Sequence, residues 1–308
     1  MAATAPTGTG RSWLRRQGVR ENLAGWLFAS PWVILFLVFM AGPILAAFAL
    51  SFTDFGLADL RDPLNTEVVG VDNYTALFSD SEFRRASWNT VVFTVVAVPL
   101  VLVLALGLAV LIDRGIKRYK TFFRVGYYLP EVTAIVAIAI LWRFMFHPDL
   151  GLLNTMLGWV GIDGPNWLGN PSTAMPAVIT VAVWRHLGAN IVILLAGLQA
   201  IDPVMYEAAR VDGAGGWQLF RNITLPLVRP TLLFATVITS IGYLQVFEEP
   251  FLMTEGGPLN TTQTVAMMVY EQGFAFFNLG YASAIAYLLF LVIAGLATIQ
   301  FRMLRPET

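Results

Sequence analysis

Six long apolar runs constrain this chain more than any other feature of its sequence. Each has about twenty residues or more, the length that an α-helix needs to cross a hydrocarbon core of roughly 30 Å. None alternates in the way a barrel strand does, and only helices and closed barrels satisfy their own backbone within lipid. We therefore predict six transmembrane helices, near residues 23–52, 88–112, 122–146, 174–198, 231–251 and 279–301.

The composition supports a lipid surround and excludes several function classes. The 308 residues are 57% hydrophobic and only 13% charged, whereas about a quarter of a soluble protein's residues carry charge. The net charge of −1 and the lack of a basic stripe exclude a nucleic-acid partner. No cysteine is present, which excludes disulfides and thiol nucleophiles. The two lysines do not follow glycine, so a Gly-Lys-Ser/Thr phosphate loop is excluded.

The first 22 residues form a short basic arm that contains Arg11, Arg15, Arg16 and Arg20. Such an arm can begin a signal peptide, but the apolar run after it exceeds the roughly 7–15 residues of a cleavable segment. We predict that residues 1–22 are a disordered cytoplasmic arm and that residues 23–305 form one transmembrane domain.

The distribution of arginine and lysine predicts the orientation of the chain. Fourteen of the nineteen basic residues fall in the arm, the 113–124 loop, the 201–230 loop and the C-terminal tail. The alternate loops hold only Arg61, Arg84 and Arg85, of which the last two run against the trend at the start of the second span. By the positive-inside rule, both termini and the 201–230 loop are cytoplasmic. We expect a multi-pass protein of the bacterial cytoplasmic (inner) membrane.

No catalytic, metal or cofactor site is predicted on this chain. Of its two histidines, His147 lies at the outer edge of the third span and His186 lies inside the fourth, and neither has a second ligand at the spacing that a metal site needs. The acidic residues are scattered and lie mostly in the outer loops.

Polar side chains inside the spans are the candidates for a solute pathway. Arg185 and His186 lie halfway along the fourth span, where a charge costs on the order of 2.5–3.5 kcal/mol and needs a partner or a water-filled cavity. Glu131 follows Pro130 early in the third span. Aromatic, amide and hydroxyl groups suit a neutral polyhydroxylated solute, although hydrogen bonding between helices is the alternative role for each residue. The candidate pathway residues are Arg185, Asn190, Tyr243, Gln245, Glu248 and Tyr287.

The 201–230 loop has a helix-break-helix pattern of its own. Asp202 and Pro203 are typical of an N-cap followed by proline at the first helical position, so a helix is predicted over Pro203–Asp212. Gly213 ends it, and a second amphipathic segment starts near Trp217 and is predicted to stop at Pro226. On these grounds alone the loop is either a docking element or a solvated connection between two spans.

The residues of this loop resemble a known pattern. The matching positions are Glu207, Ala208, Ala209, Asp212, Gly213, Ala214, Phe220, Ile223, Leu225, Pro226 and Pro230. They are similar to the EAA loop of the permease subunits of binding-protein-dependent ABC importers. The segments 128–131, 151–154, 254–258 and 280–284 resemble the sugar-importer branch, of maltose and glycerol-phosphate permease type, and in particular the first permease of such pairs.

The resemblance implies a fold, a mechanism and partners. The fold would be the all-α type I importer permease, with six transmembrane helices and a cytoplasmic coupling helix in the 201–230 loop. The implied partners are a second, non-identical permease, two ATP-binding cassette subunits that hold ATP and Mg, an extracytoplasmic solute-binding protein, and a sugar, taken as a di- or oligosaccharide. The residues implied to dock on the ATPase are Glu207, Ala208, Ala209, Asp212, Gly213 and Ala214.

Other functions stay open at this point. An ABC importer for glycerol phosphate or peptide would share the same loop. A secondary transporter or channel would need no ATPase, but six spans without paired repeats are few for most such folds. A membrane-embedded enzyme would need a clustered catalytic set, which the sequence lacks.

Overall fold

A computed structural model describes residue 22 and residues 25–62, 66–115 and 120–303, with the side chains of 114, 115, 120–124 and 303 left out. The predicted basic arm lies outside the described residues except for one position. Lys117, Arg118 and Arg305 also lie outside them.

The described chain is helical, as predicted, and contains no strand apart from one isolated bridge between Thr53 and Val68. We number twelve helices in the described residues. The first six are α1 Gly25–Leu50, α2 Asp72–Ser79, α3 Ser81–Gly115, α4 Lys120–Val132, α5 Ile135–Met145 and α6 Leu152–Gly158. The others are α7 Pro171–Gln199, α8 Pro203–Val211, α9 Gly216–Leu244, α10 Glu248–Thr254, α11 Val265–Tyr270 and α12 Leu279–Met303.

Five of these helices (α1, α3, α7, α9 and α12) are long and apolar enough to cross a membrane. The predicted third span is present as a bent pair of apolar helices and not as one continuous helix, and the described residues have six spans when this pair is counted as one. It is divided into α4 and α5, which are bent by 103° at a short break. Pro130 lacks an N–H and removes one helical hydrogen bond near the end of α4. Ala134 then takes an extended ψ of 123°.

The fifth span also differs from the prediction of residues 231–251. Pro226 does not stop a helix there. It lies inside α9, which runs from Gly216 to Leu244 through a π-helical turn at Phe220–Thr224.

The core of the bundle forms where α3 packs along α7, with α9 beside both. Phe93 and Val101 of α3 are fully buried against Val178, Val181 and Leu194 of α7. A second, smaller apolar cluster joins α2, α3, α11 and α12 around Leu77, Met268 and Ile285. The first of these clusters holds α7, which carries Arg185 and His186 at mid-span, against α3.

Gly188 allows α4 to approach α7 closely. A Cβ at this position would lie 2.0 Å from the carbonyl oxygen of Tyr127, so the backbone of α4 leaves no room for any side chain. Gly107 of α3 is also helical, but a Cβ there would meet nothing within 4 Å.

We expect Gly188→Ala to destabilise the protein, because overpacking against backbone costs about 1–3 kcal/mol. Gly107→Ala should be neutral or slightly stabilising, because alanine favours a helix over glycine by roughly 0.5–1 kcal/mol. Thermal unfolding of both variants in detergent, followed by monodispersity on size exclusion, measures the difference. Equal melting temperatures would contradict the close approach of α4 and α7.

Candidate functional site

A polar cavity of about 520 Å³ opens beside the middle of α7. Its walls come from α7, from the second half of α9, and from α10 with the three residues that precede it, and Glu131 of α4 closes one side. Arg185 and His186 are at the midpoint of α7, as predicted from the sequence. The cavity therefore lies near the level of the membrane centre if α7 crosses the bilayer.

Arg185 forms ion pairs with two adjacent glutamates that begin α10. Its Nη1 lies 2.9 Å from Glu248 Oε2 and 2.9 Å from Glu249 Oε1. The side chain of Glu249 is only 4% exposed, whereas that of Glu248 is 51% exposed. Successive residues of a helix point about 100° apart, so Glu249 is buried among the helices while Glu248 stays half-exposed, and both line the cavity.

His186 continues the charged network toward α4. Its Nδ1 lies 3.2 Å from Glu131 Oε2, and its Nε2 lies 3.7 Å from Glu249 Oε1. Three carboxylates thus face two basic side chains. A buried charge needs such pairing, because the low dielectric of the bilayer penalises an isolated one. The side chains of this network connect α4, α7 and α10.

Uncharged polar groups line the wall next to this network. Thr239 of α9 donates a hydrogen bond to Asn190 Oδ1 at 3.0 Å, and Asn190 Nδ2 donates to the backbone oxygen of His186 at 3.0 Å. The hydroxyl of Tyr243 donates to the carbonyl of Ala182 at 3.2 Å, and its ring packs against His186 with centroids 5.5 Å apart. Amide, hydroxyl and aromatic groups therefore share one surface with the ion pairs.

The structure brings five of the six candidate pathway residues to this cavity: Arg185, Asn190, Tyr243, Gln245 and Glu248. The sixth, Tyr287, lies elsewhere. Its hydroxyl donates to the backbone oxygen of Ile44, and its ring packs on Phe48, so it joins α12 to α1. A tyrosine in a span is as suitable for helix contacts as for a pathway, and the sequence does not distinguish the two.

Glu249 was not among the candidate residues, although it is the centre of the network. The available signal was a second glutamate in an apolar segment, directly after Glu248. Which of the two glutamates is buried depends on where α10 begins. The sequence predicts a fifth span that continues through both residues, so it does not indicate a new helix that starts at Glu248. Among the described residues, no group of three or more His, Asp or Glu has the arrangement of a metal site.

The second feature of interest is α8, at the far end of the bundle from the cavity. Asp202 caps it as predicted, because its Oδ1 accepts a hydrogen bond from Val204 N at 2.9 Å. The helix ends before Gly213, whose φ of +84° is the left-handed conformation that favours glycine. The predicted helix and its predicted stop are both confirmed, to within one residue.

No residue of α8 is buried in this chain. Glu207, Ala208, Asp212 and Gly213 are exposed, and Ala209 and Ala214 are half-buried. Val211 is 88% exposed and Val204 is 62% exposed. A short helix that carries exposed apolar residues beside an exposed carboxylate has the composition of a contact surface.

The start of α9 holds α8 in place. The Tyr206 hydroxyl lies 3.1 Å from Thr224 Oγ1, at the π turn of α9. Tyr243 of the cavity is nineteen residues further along the same helix, or about 28 Å at 1.5 Å per residue. The cavity and the exposed helix are therefore distant, but they are joined by one continuous element.

Known proteins match the chain over nearly its whole length. It is 38% identical to the lactose transport system permease protein LacF of Rhizobium radiobacter over 305 residues, which covers 97% of this chain and 99% of LacF. It is 32% identical to the trehalose/maltose transport system permease protein MalF of Thermococcus litoralis, covering 92% and 94% of the two chains. Both relatives are permeases, which are transport components and not enzymes.

A crystal structure of a bacterial ABC transporter that imports the acidic polysaccharide alginate has the same fold. The TM-score is 0.82 at 26% identity, covering 97% of this chain and 99% of that chain. A second alginate transporter structure, in complex with an alginate-pentasaccharide-bound periplasmic protein, matches with a TM-score of 0.81. The type I permease fold is thus confirmed. The family model described as "Binding-protein-dependent transport system inner membrane component" matches residues 74–307, and the chain belongs to this family.

Proposed function

We propose that this chain is the transmembrane permease subunit of an ATP-driven importer that moves a neutral di- or oligosaccharide. It forms the pathway with a non-identical sister permease. Two ATP-binding cassette subunits bind and hydrolyse ATP, and an extracytoplasmic binding protein delivers the sugar. In this proposal both termini and α8 face the cytoplasm, in agreement with the distribution of basic residues.

The observation that carries this proposal is α8. A helix that is capped at one end, ended by a left-handed glycine at the other, and buried nowhere in its own chain is built to contact another subunit. Glu207 supplies a polar contact on it, and Ala208 and Ala209 allow close approach. A rigid element of this kind transmits the movement of a docked ATPase, whereas a flexible loop would absorb it.

The cavity supports a neutral solute over an anionic one. Both of its basic side chains are already engaged by carboxylates within 4 Å, and three carboxylates outnumber two bases. A phosphate or carboxylate on the solute would meet no free cation there and would face the half-exposed Glu248. Gln245 and Glu248, which are both exposed on the cavity wall, instead offer hydrogen bonds to hydroxyl groups.

The alternatives are less well supported by the described residues. A glycerol-phosphate importer would need free basic groups along the path, and the two present are paired. A secondary transporter does not account for α8. LacF and MalF transport lactose and trehalose or maltose by their names, which favours a neutral sugar for this chain too.

We expect Glu207→Lys to release the ATP-binding cassette subunits from the complex. Because the Glu207 side chain is exposed, the charge reversal should leave the melting temperature of the permease itself unchanged. Co-purification of the ATPase subunits with a tagged permease measures the effect, and a loss of at least tenfold is expected. Glu67→Lys, a reversal at an exposed residue of the 53–87 loop, is the control and should retain the subunits. Full retention by both variants would exclude α8 as the docking element.

We expect Gly213→Val to uncouple ATP hydrolysis from transport while Gly213→Asn retains coupling. A β-branched residue is strained at positive φ by about 1–2 kcal/mol, whereas asparagine adopts this conformation readily. The space around Gly213 is open, so backbone conformation alone separates the two variants. Sugar-stimulated ATPase activity of the complex in liposomes is the measurement. If valine and asparagine behave alike, the turn after α8 has no role in coupling.

We expect Glu249→Gln to impair folding and Glu248→Gln to impair sugar uptake. Glu249 is buried between Arg185 and His186, so Glu249→Gln removes the one carboxylate that pairs with both bases, costs about 3–5 kcal/mol, and should lower the yield of folded complex. Glu248 faces the cavity, so Glu248→Gln should fold normally but raise the KM for sugar uptake severalfold. ATP-dependent uptake of radiolabelled lactose and maltotriose by proteoliposomes tests this. Unchanged KM in Glu248→Gln would exclude this carboxylate as a solute contact, and absence of ATP-dependent uptake of any sugar would refute the proposed function.

A further inference from the structure

An apolar groove of about 510 Å³ lies on the outside of the bundle, between α3, α11 and α12. It shares no lining residue with the polar cavity. On α3 it is lined by Arg84, Trp88 and Val91, which recur at i, i+4 and i+7 and form one stripe. Phe93 and Ala97, which belong to the core cluster shared with α7, fall on the opposite side of the same helix.

The groove has the depth of one membrane leaflet. Tyr243 contacts both His186, at the midpoint of α7, and Phe93 of α3, which sets Phe93 near the membrane centre. Arg84 precedes Phe93 by nine residues of helix, or about 14 Å along the axis. Half of a hydrocarbon core of about 30 Å is roughly the same distance. Arg84 therefore lies at headgroup level, while Leu244, next to Tyr243, lies at the buried end of the groove.

Charge is found only at the headgroup end. Among the lining residues Arg84 is the one charged group, and it forms no ion pair with any residue in the described part of the chain. Arg85, its neighbour, instead donates to the backbone oxygen of Leu259 at 2.8 Å, and Asp80 accepts from Tyr281. Trp88 is 68% exposed one turn deeper, at a level where aromatic residues concentrate near the interface.

We propose that this groove binds one glycerophospholipid, with an acyl chain along the apolar wall and the phosphate at Arg84. The site belongs to the leaflet opposite α8, which is the outer leaflet in the orientation proposed above. The two arginines at the start of α3 run against the positive-inside trend, and a phosphate ligand gives Arg84 a counter-charge at that level. The groove shares no residue with the polar cavity, so the lipid site and the proposed sugar pathway can be tested independently of each other.

Native mass spectrometry of the complete importer tests the proposal directly. The complex is purified in mild detergent, supplied with 1-palmitoyl-2-oleoyl phosphatidylglycerol, and washed, and the retained phospholipid is counted. We expect one lipid that resists washing, and at least a fivefold lower occupancy in Arg84→Gln and in Ser87→Trp, which fills the groove. Arg61→Gln, an exposed arginine outside the groove, is the matched control and should retain the lipid.

Three outcomes would overturn the proposal. Equal retention in wild type and in both variants would mean annular lipid only, and the absence of any retained lipid would mean that the groove holds none. Because the chain has no cysteine, Val91→Cys introduces a single thiol into the groove. Efficient cross-linking of that thiol to the sister permease would show that a protein helix covers the groove in place of lipid. Melting temperatures of the variants, measured alongside, separate loss of lipid from loss of fold.

Discussion

The buried carboxylate of Glu249 is the constraint on which the centre of this structure depends. Within a bilayer a charge of this kind is stable only beside opposite charge, and here Arg185 and His186 of one helix supply it. The requirement fixes where α10 begins, since a shift by one residue would bury Glu248 instead. It also brings in Glu131, which pairs with His186 from α4. The cavity lies beside these ion pairs. Its shape therefore depends on the positions of the paired charges as well as on apolar packing.

The apolar core, the charged network and α8 are three separate parts of the molecule with different properties. Hydrophobic packing of α3 on α7 makes a rigid body, the charged network adds a polar surface at its middle, and α8 is left without buried contacts at one end. None of these features is a catalytic device. Transport would require that partners supply the energy and that this chain supply the path, in accordance with the role proposed above.

The sequence predicts some of this architecture well and some of it poorly, for physical reasons. The spans of α1, α7 and α12 follow from hydrophobic length. Helix α8 follows from local signals, because Asp202, Pro203 and Gly213 act on the backbone next to them in the sequence. The break between α4 and α5 was missed because the apolar run continues across it, and hydrophobicity does not report a bend. Glu249 and Tyr287 show the remaining limit. Whether a polar side chain faces a cavity or another helix depends on tertiary packing that no local pattern contains.

The short connections on either side of α8 have a mechanical consequence. Three residues join it to α7 and four join it to α9, while Tyr206 and Thr224 hold it against the second of these helices. Arg185 and His186 project from α7, and Thr239 and Tyr243 project from α9, so two walls of the cavity are attached to one small helix. A displacement applied to α8 would therefore act on α7 and α9 together, and so on both of these cavity walls at once.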